Sequence, residues 1–159
     1  GFGAVALDTS KGAIETCRLR GVENCVHSKI MDFEEGQFDT LLLLMNGIGL
    51  AGKLKNLGDF LSHLKKLLKP NGQVLLDSSD IIYMFEKDDD EGRWLPAKQE
   101  YYGEVTFTVS YKGQKSDPFS WLYLDQNTLK RAAHTSQFSC EIVSFGDHFD
   151  YLARLTLRK

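Results

Sequence analysis

Leu64-Lys65-Lys66-Leu67-Leu68-Lys69-Pro70-Asn71-Gly72-Gln73-Val74-Leu75-Leu76-Asp77 holds the step on which the fold turns. Upstream of it, Leu54, Leu57, Phe60 and Leu61 carry an apolar row into Leu64, Leu67 and Leu68 at three- and four-residue spacing. That is the period of a helix with one buried face. Asn56 is placed to cap it and Asp59 to sit in its first turn, while Lys65, Lys66 and Lys69 complement its negative end. Pro70 and Gly72 stop the helix, and residues 73–76 then form a strand that ends at Asp77-Ser78-Ser79-Asp80.

Working outward, Ala4-Val5-Ala6-Leu7 is a short apolar run ending in Asp8, which suits a buried parallel strand. Thr9 and Ser10 can cap a helix in which Ala13, Ile14 and Cys17 share a face, and Gly21 marks its end. A weaker strand over 26–30 ends at Met31-Asp32-Phe33, and after a polar turn Phe38-Asp39 opens a strand over 40–45 that is apolar on both faces. Strand, helix, strand, strand, helix, strand is the rhythm of an α/β fold, a mostly parallel sheet covered by helices.

Downstream the character changes. Asp88-Asp89-Asp90-Glu91 reads as a solvated acidic loop. Val105, Phe107, Val109 and Tyr111 alternate over 104–111, and 120–124 follows a Gly113/Pro118 turn region, which predicts an antiparallel hairpin inserted at about 98–124. Asp125 caps a helix over 125–137, and residues 140–145 and 151–157 close as a hairpin around Gly146-Asp147-His148. Neither a linker nor an internal repeat interrupts 1–159, so a single domain is expected.

The bulk numbers agree with that class. The chain has 159 residues, 42% hydrophobic and 26% charged, enough for one core without staples. A net charge of −3 weighs against a nucleic-acid partner. The three cysteines are scattered and odd in number with no CxxC spacing, which argues against a metal site and for reduced thiols in a cytoplasmic protein. The apolar run 41–45 is far short of the roughly 20 residues that span a bilayer. A homodimer is a separate expectation.

Aspartates at the carboxyl ends of strands can accept hydrogen bonds from both ribose hydroxyls of a nucleoside, and Asp8, Asp32 and Asp77 take such positions. Each is equally a cap or loop former. Gly47-Ile48-Gly49-Leu50-Ala51-Gly52 is a GxGxxG lying after a strand and before a helix, with Asp77 ending the next strand. By pattern it is a dinucleotide fingerprint, although Asp77 lies further on than the roughly 20 residues expected. The plainer reading is a glycine-rich turn leaving the 40–45 strand. His27, His63, His134 and His148 have no metal spacing, and Ser78-Ser79-Asp80 lacks a nucleophile elbow. Tyr101, Tyr102, Phe107, Tyr111, Trp121 and Tyr123 cluster in the inserted hairpin, either as packing or as an aromatic wall over an acceptor pocket.

Several of these stretches, in order, resemble the class I S-adenosylmethionine-dependent methyltransferases, a Rossmann-like family. Ala4 to Ser10 looks like the family's second strand, Met31-Asp32-Phe33 like the turn after its third, and Phe38-Asp39-Thr40-Leu41-Leu42 like the start of its fourth. Leu68-Lys69-Pro70-Asn71-Gly72-Gln73-Val74-Leu75 is similar to the step into its fifth, and the closing hairpin to its antiparallel last strands. The resemblance implies S-adenosylmethionine as cofactor and no metal. It implies that Asp8, with Thr9, holds the ribose and that Met31, Asp32 and Phe33 lie along the adenine. Met45, Asn46 and Gly47 would then stand beside the transferable methyl and the acceptor. The family's first strand and its glycine-rich loop would precede Gly1, so the domain is expected to be incomplete at its N-terminal side. The Asp8 strand and the Thr40 strand should then not be neighbours.

The implied activity is methyl transfer to an unidentified, small-molecule acceptor. The alternatives are an NAD-binding oxidoreductase domain using Gly47 to Gly52, or a non-catalytic module that binds a partner through the inserted hairpin. Methyl transfer from a sulfonium mainly requires alignment and exclusion of water. No catalytic residue is therefore assigned, and Asp80 and His148 are the candidate bases at the rim.

Overall fold

Ser10 lies in extended backbone, and its hydroxyl accepts from the Ala13 N–H to start helix α1 (Lys11–Leu19). The computed structural model describes residues 3–85 and 100–158. It divides the chain into two compact units, Gly1–Gly36 and Gln37–Lys159. In the first unit, strand β1 (Ala6–Asp8) pairs in parallel with β2 (Cys25–His27), and α1 packs on both with Ile14 buried. Gly21 adopts φ 81° beyond the helix end, and the Val22 N–H returns to the Cys17 carbonyl, which closes the last turn. The strand expected over 26–30 stops at His27. Ser28 and Lys29 give it no apolar face, and Ile30–Asp32 instead turns as a 3-10 helix that carries Met31 and Asp32, with Phe33 buried behind it.

The second unit is built on a four-stranded sheet. Strands β3 (Phe38–Leu43) and β4 (Leu68–Ser79) are parallel. Strand β10 (Asp150–Leu157) lies antiparallel between β4 and β9 (Phe138–Phe145), so the closing hairpin inserts its second strand into the sheet and leaves its first at the edge. Helix α2 (Leu57–Lys66) packs against α3 (Gln126–Thr135), which covers β9. Phe60, Leu61, Leu64, Val74, Leu76, Leu129, Phe138 and Leu155 are at most 1% exposed, so the apolar row of the sequence is the core.

Three local expectations change. Asn56 sits in helical backbone and makes no side-chain cap; its amide donates to the Ala51 carbonyl, and Leu54 belongs to a separate 3-10 turn, Leu54–Asn56. Strand β4 begins at Leu68, before Pro70, because the ladder slips register between Phe38 and Thr40 and Asn71 takes a left-handed turn (φ 66°). Only glycine fits at 72, where a Cβ would meet the Phe38 carbonyl oxygen at 2.9 Å. Finally, β3 is not buried on both faces: Leu42 is 65% exposed, and Leu44, past the strand end, 54%.

The insertion is two small sheets in place of one long hairpin. Strand β5 (Glu104–Phe107) pairs antiparallel with β8 (Phe119–Leu122), and a second pair, β6 (Ser110–Tyr111) with β7 (Gln114–Lys115), caps it. The alternation breaks where the Val109 N–H bonds the Ser116 hydroxyl. Lys112 and Gly113 then turn with positive φ, as a two-residue hairpin loop requires. The acidic run at 88–91 and the start of the insertion near 98 lie outside the described residues. Among the described residues β1 has β2 as its ladder partner and β3 has β4, so the Asp8 and Thr40 strands belong to separate sheets.

Candidate functional site

In open α/β sheets, ligands bind outside the carboxyl ends of the strands. At that end of β3, Met45 (φ 65°) and Asn46 (φ 57°) are consecutive non-glycine residues in left-handed backbone. That conformation persists only where the surroundings over-determine it. Here they do. The Asn46 amide donates to the Leu122 carbonyl at 3.1 Å, and the Ser78 hydroxyl donates to Asn46 Oδ1 at 2.8 Å while accepting from the Leu124 N–H at 2.9 Å. The Gly47 N–H donates to Asp77 Oδ1 at 3.2 Å. The carboxyl ends of β3 and β4 are thus tied to each other and to β8. Asn46 uses both ends of its amide for this, and Met45 is left 89% exposed.

The glycine-rich stretch turns out to be a 3-10 helix, Gly47–Ala51, in which Gly47, Ile48, Gly49 and Ala51 are buried. A Cβ at Gly49 would fall inside the Trp121 indole, and one at Gly47 would meet Leu43 Cβ at 2.6 Å. A dinucleotide fingerprint needs its glycines bare to a pyrophosphate at the start of an α-helix. These glycines are filled by protein. Asp77, the ribose partner in that scheme, is engaged with Gly47, and the dinucleotide expectation is overturned.

The residues expected to hold a nucleoside lie in the first unit. Asp8 is exposed at the carboxyl end of β1, and its Oδ1 accepts from the Ser10 N–H at 2.6 Å. Its Oδ2 accepts no hydrogen bond among the described residues. The Thr9 carbonyl meets His27 Nε2 at 2.9 Å. Asp32 and Met31 are exposed on their turn, whereas Phe33 is core at 7% exposure.

The inserted aromatics divide into two groups. Phe107, Phe119, Trp121 and Tyr123 pack on one another with ring centroids 6.1–6.4 Å apart, while Tyr111 projects at the tip, 70% exposed. Tyr101 and Tyr102 behave differently. Their rings lie 4.6 Å apart; Tyr101 donates to Asp125 Oδ2 and Tyr102 to Asp80 Oδ1, each at 2.7 Å. Burial pushes the Tyr101 phenol up to about 12. Burial, with the hydrogen bonds to Tyr101 and Asp80 adding to it, pushes Tyr102 far above the ordinary phenol range. Both stay protonated donors near neutrality. They line a cleft of about 380 Å³ with Asp125, Asn127, Thr128 and Arg131. Of the two candidate bases, Asp80 is in this network, while His148 is exposed on the β9–β10 turn. The importance of Ser78 and Trp121 was not legible, because each acts through a partner far away in sequence.

Over 98% of its length the chain is similar to a SAM-dependent methyltransferase from Bacteroides fragilis in complex with S-adenosyl-L-homocysteine, at 41% identity and a TM-score of 0.88. The chain spans 63% of that protein. A S-adenosylmethionine-dependent methyltransferase from Clostridium acetobutylicum ATCC 824 aligns over 99% of this chain and 76% of its own, with 12% identity and a TM-score of 0.66. A sugar N-methyltransferase from Streptoalloteichus sp ATCC 53650 aligns over 98% and 71%, with 12% identity and a TM-score of 0.63. No protein-family model and no curated protein matches the sequence. The fold is that of the class I S-adenosylmethionine-dependent methyltransferases, as the parallel β3–β4 pair and the antiparallel β10 inserted beside it define it.

Proposed function

We propose that this chain takes part in methyl transfer from S-adenosylmethionine to a small-molecule acceptor. The observation that carries the reading is the 41% identity, over 98% of the chain, to a methyltransferase crystallised with S-adenosyl-L-homocysteine. Asp8 is the proposed ribose acceptor, since one of its oxygens is held by the Ser10 N–H and the other accepts no hydrogen bond among the described residues. Thr9 continues that turn. Asp32 is assigned to the exocyclic amine of adenine, with Met31 and Phe33 flanking it. Met45, Asn46 and Gly47 are assigned to the methionine end; the left-handed backbone at 45 and 46 supports this, as strain of that kind collects at functional sites. Among the described residues β3 pairs on one edge only, with β4.

The chemistry asks little of a base. The sulfonium is already an activated leaving group, so the protein aligns acceptor nucleophile, methyl carbon and sulfur and keeps water out. The scattered cysteines support a reducing compartment such as the cytoplasm, and the small acidic net charge supports a partner other than nucleic acid. A homodimer is compatible with both. The test is titration calorimetry with S-adenosyl-L-homocysteine on the chain and on Asp8→Ala. The variant should keep its melting temperature and bind about ten- to hundredfold more weakly, the loss expected for a hydrogen bond to a charged acceptor. Unchanged affinity would move the ribose contact elsewhere, and stabilisation by NAD but not by S-adenosyl-L-homocysteine would remove the reading.

A further inference from the structure

Asp80 directly follows β4 and caps a 3-10 turn, Ile81–Met84; it belongs to neither the core nor the strained loop described above. Its Oδ1 accepts two hydrogen bonds, from the Tyr102 phenol at 2.7 Å and from the Ile82 N–H at 3.0 Å. Its backbone N–H donates to the Phe149 carbonyl at 3.0 Å, which pins the β9–β10 turn beside it. The carboxylate is therefore fixed in orientation, and Oδ2 accepts no hydrogen bond among the described residues. Next to it Tyr83 and Phe149 stack with centroids 5.0 Å apart and planes 15° from parallel, and Phe149 is 62% exposed. Phe149 holds that place with φ 61°, a conformation costly for an aromatic residue. Phe85 packs edge-on to Tyr102, the donor to Asp80, with ring centroids 6.2 Å apart.

Methyl transfer moves charge. The lone pair of a neutral amine forms the new N–C bond as the C–S bond breaks, its electron pair going to sulfur. The sulfonium becomes a neutral thioether and the acceptor nitrogen becomes a methylammonium that keeps its own protons. A hydroxyl acceptor would need a base to take its proton as it attacks; an amine attacks through its lone pair once its ammonium proton has passed to solvent, and the product is then favoured by whatever stabilises positive charge where it develops. An oriented carboxylate and aromatic faces supply that. Resting on the methyl-transfer reading, we propose that Asp80 and the Tyr83–Phe149 pair form the acceptor subsite, and that the acceptor is an amine carried on an aromatic or apolar group.

The experiment measures binding of three probes of one shape, 2-phenylethylamine, 2-phenylethanol and 3-phenylpropionate, by ligand-detected NMR titration on the whole chain. Binding of S-adenosyl-L-homocysteine is followed separately by calorimetry. The amine should bind at least about tenfold more tightly than the alcohol, and the acid should not bind. Asp80→Asn keeps an oxygen for Tyr102 and Ile82, so it should fold. It should lose the amine preference by about tenfold, as removal of one charge-assisted hydrogen bond implies. Phe149→Gly relieves the left-handed backbone and should weaken amine and alcohol together at an unchanged or higher melting temperature. Equal binding of amine and alcohol, or an amine preference that survives Asp80→Asn, would overturn the subsite and leave Asp80 as a cap. If the homocysteine compound binds while the amine preference is absent, the subsite alone fails. If the amine binds as stated and that compound does not, the methyl-transfer reading fails and the amine site stands.

Discussion

Ser78 is 1% exposed, and its hydroxyl is used twice, as donor to Asn46 and as acceptor from the Leu124 N–H. Removing it leaves the buried Leu124 N–H without its acceptor and the half-buried Asn46 Oδ1 without its donor, and an unsatisfied buried group costs more than the bond itself was worth. Ser78→Ala should lower stability by about 1–3 kcal/mol in urea unfolding. A loss below about 0.5 kcal/mol would mean that water replaces the hydroxyl and that the left-handed backbone at Met45 and Asn46 stands without it. Nothing around Ser78 in the sequence announces this role; the Ser-Ser-Asp run suggests at most an unsupported triad. Asp8 is the opposite case. Its place at the end of an apolar run, before a capping serine, is local, and the structure puts it at the carboxyl end of β1 as expected.

At the scale of elements, helix α3 carries its own start signal. Asp125 Oδ1 accepts from the N–H groups of Asn127 and Thr128 at 2.9 Å each, and Oδ2 accepts from Tyr101. Burial alone would raise this carboxyl, but the hydrogen bonds from Thr128, Tyr101 and Asn127 outweigh it and hold it below the ordinary carboxylate range. A lowered folded-state value contributes stability above the unfolded value of about 3.9, and that contribution is lost as pH falls through the folded value. Asp125→Ala should therefore cost about 1–2 kcal/mol at pH 7, and the gap to the unaltered protein should narrow below about pH 4. Urea unfolding at pH 7 and pH 3 measures it; a gap of constant size would show that the side chain does not act through its charge. Asn56 has the same cap chemistry on paper. It fails because the Leu54–Asn56 turn runs into α2 without the extended backbone that a cap needs.

For the molecule as a whole, the two cofactor schemes predict opposite thermal behaviour. Saturation with S-adenosyl-L-homocysteine at about 100 times its Kd should stabilise the folded state by about 2.7 kcal/mol. For a chain of this length that raises Tm by roughly 5–10 °C, and NAD at the same concentration should leave it unchanged. Differential scanning fluorimetry decides; stabilisation by NAD alone would restore Gly47 to Gly52 as a phosphate loop. What the sequence determined by itself was local or periodic: the apolar row of α2, the Ser10 and Asp125 caps, the closing hairpin and the strand-end aspartates. These follow from contacts within a turn or two, so spacing and residue type suffice. Only the tertiary structure decided that the GxGxxG glycines make room for Trp121 and Leu43, that Ser78 locks Asn46, and that β10 lies inside the sheet. Those outcomes depend on which distant side chain fills a space, and close packing between remote segments leaves no period in the chain to read.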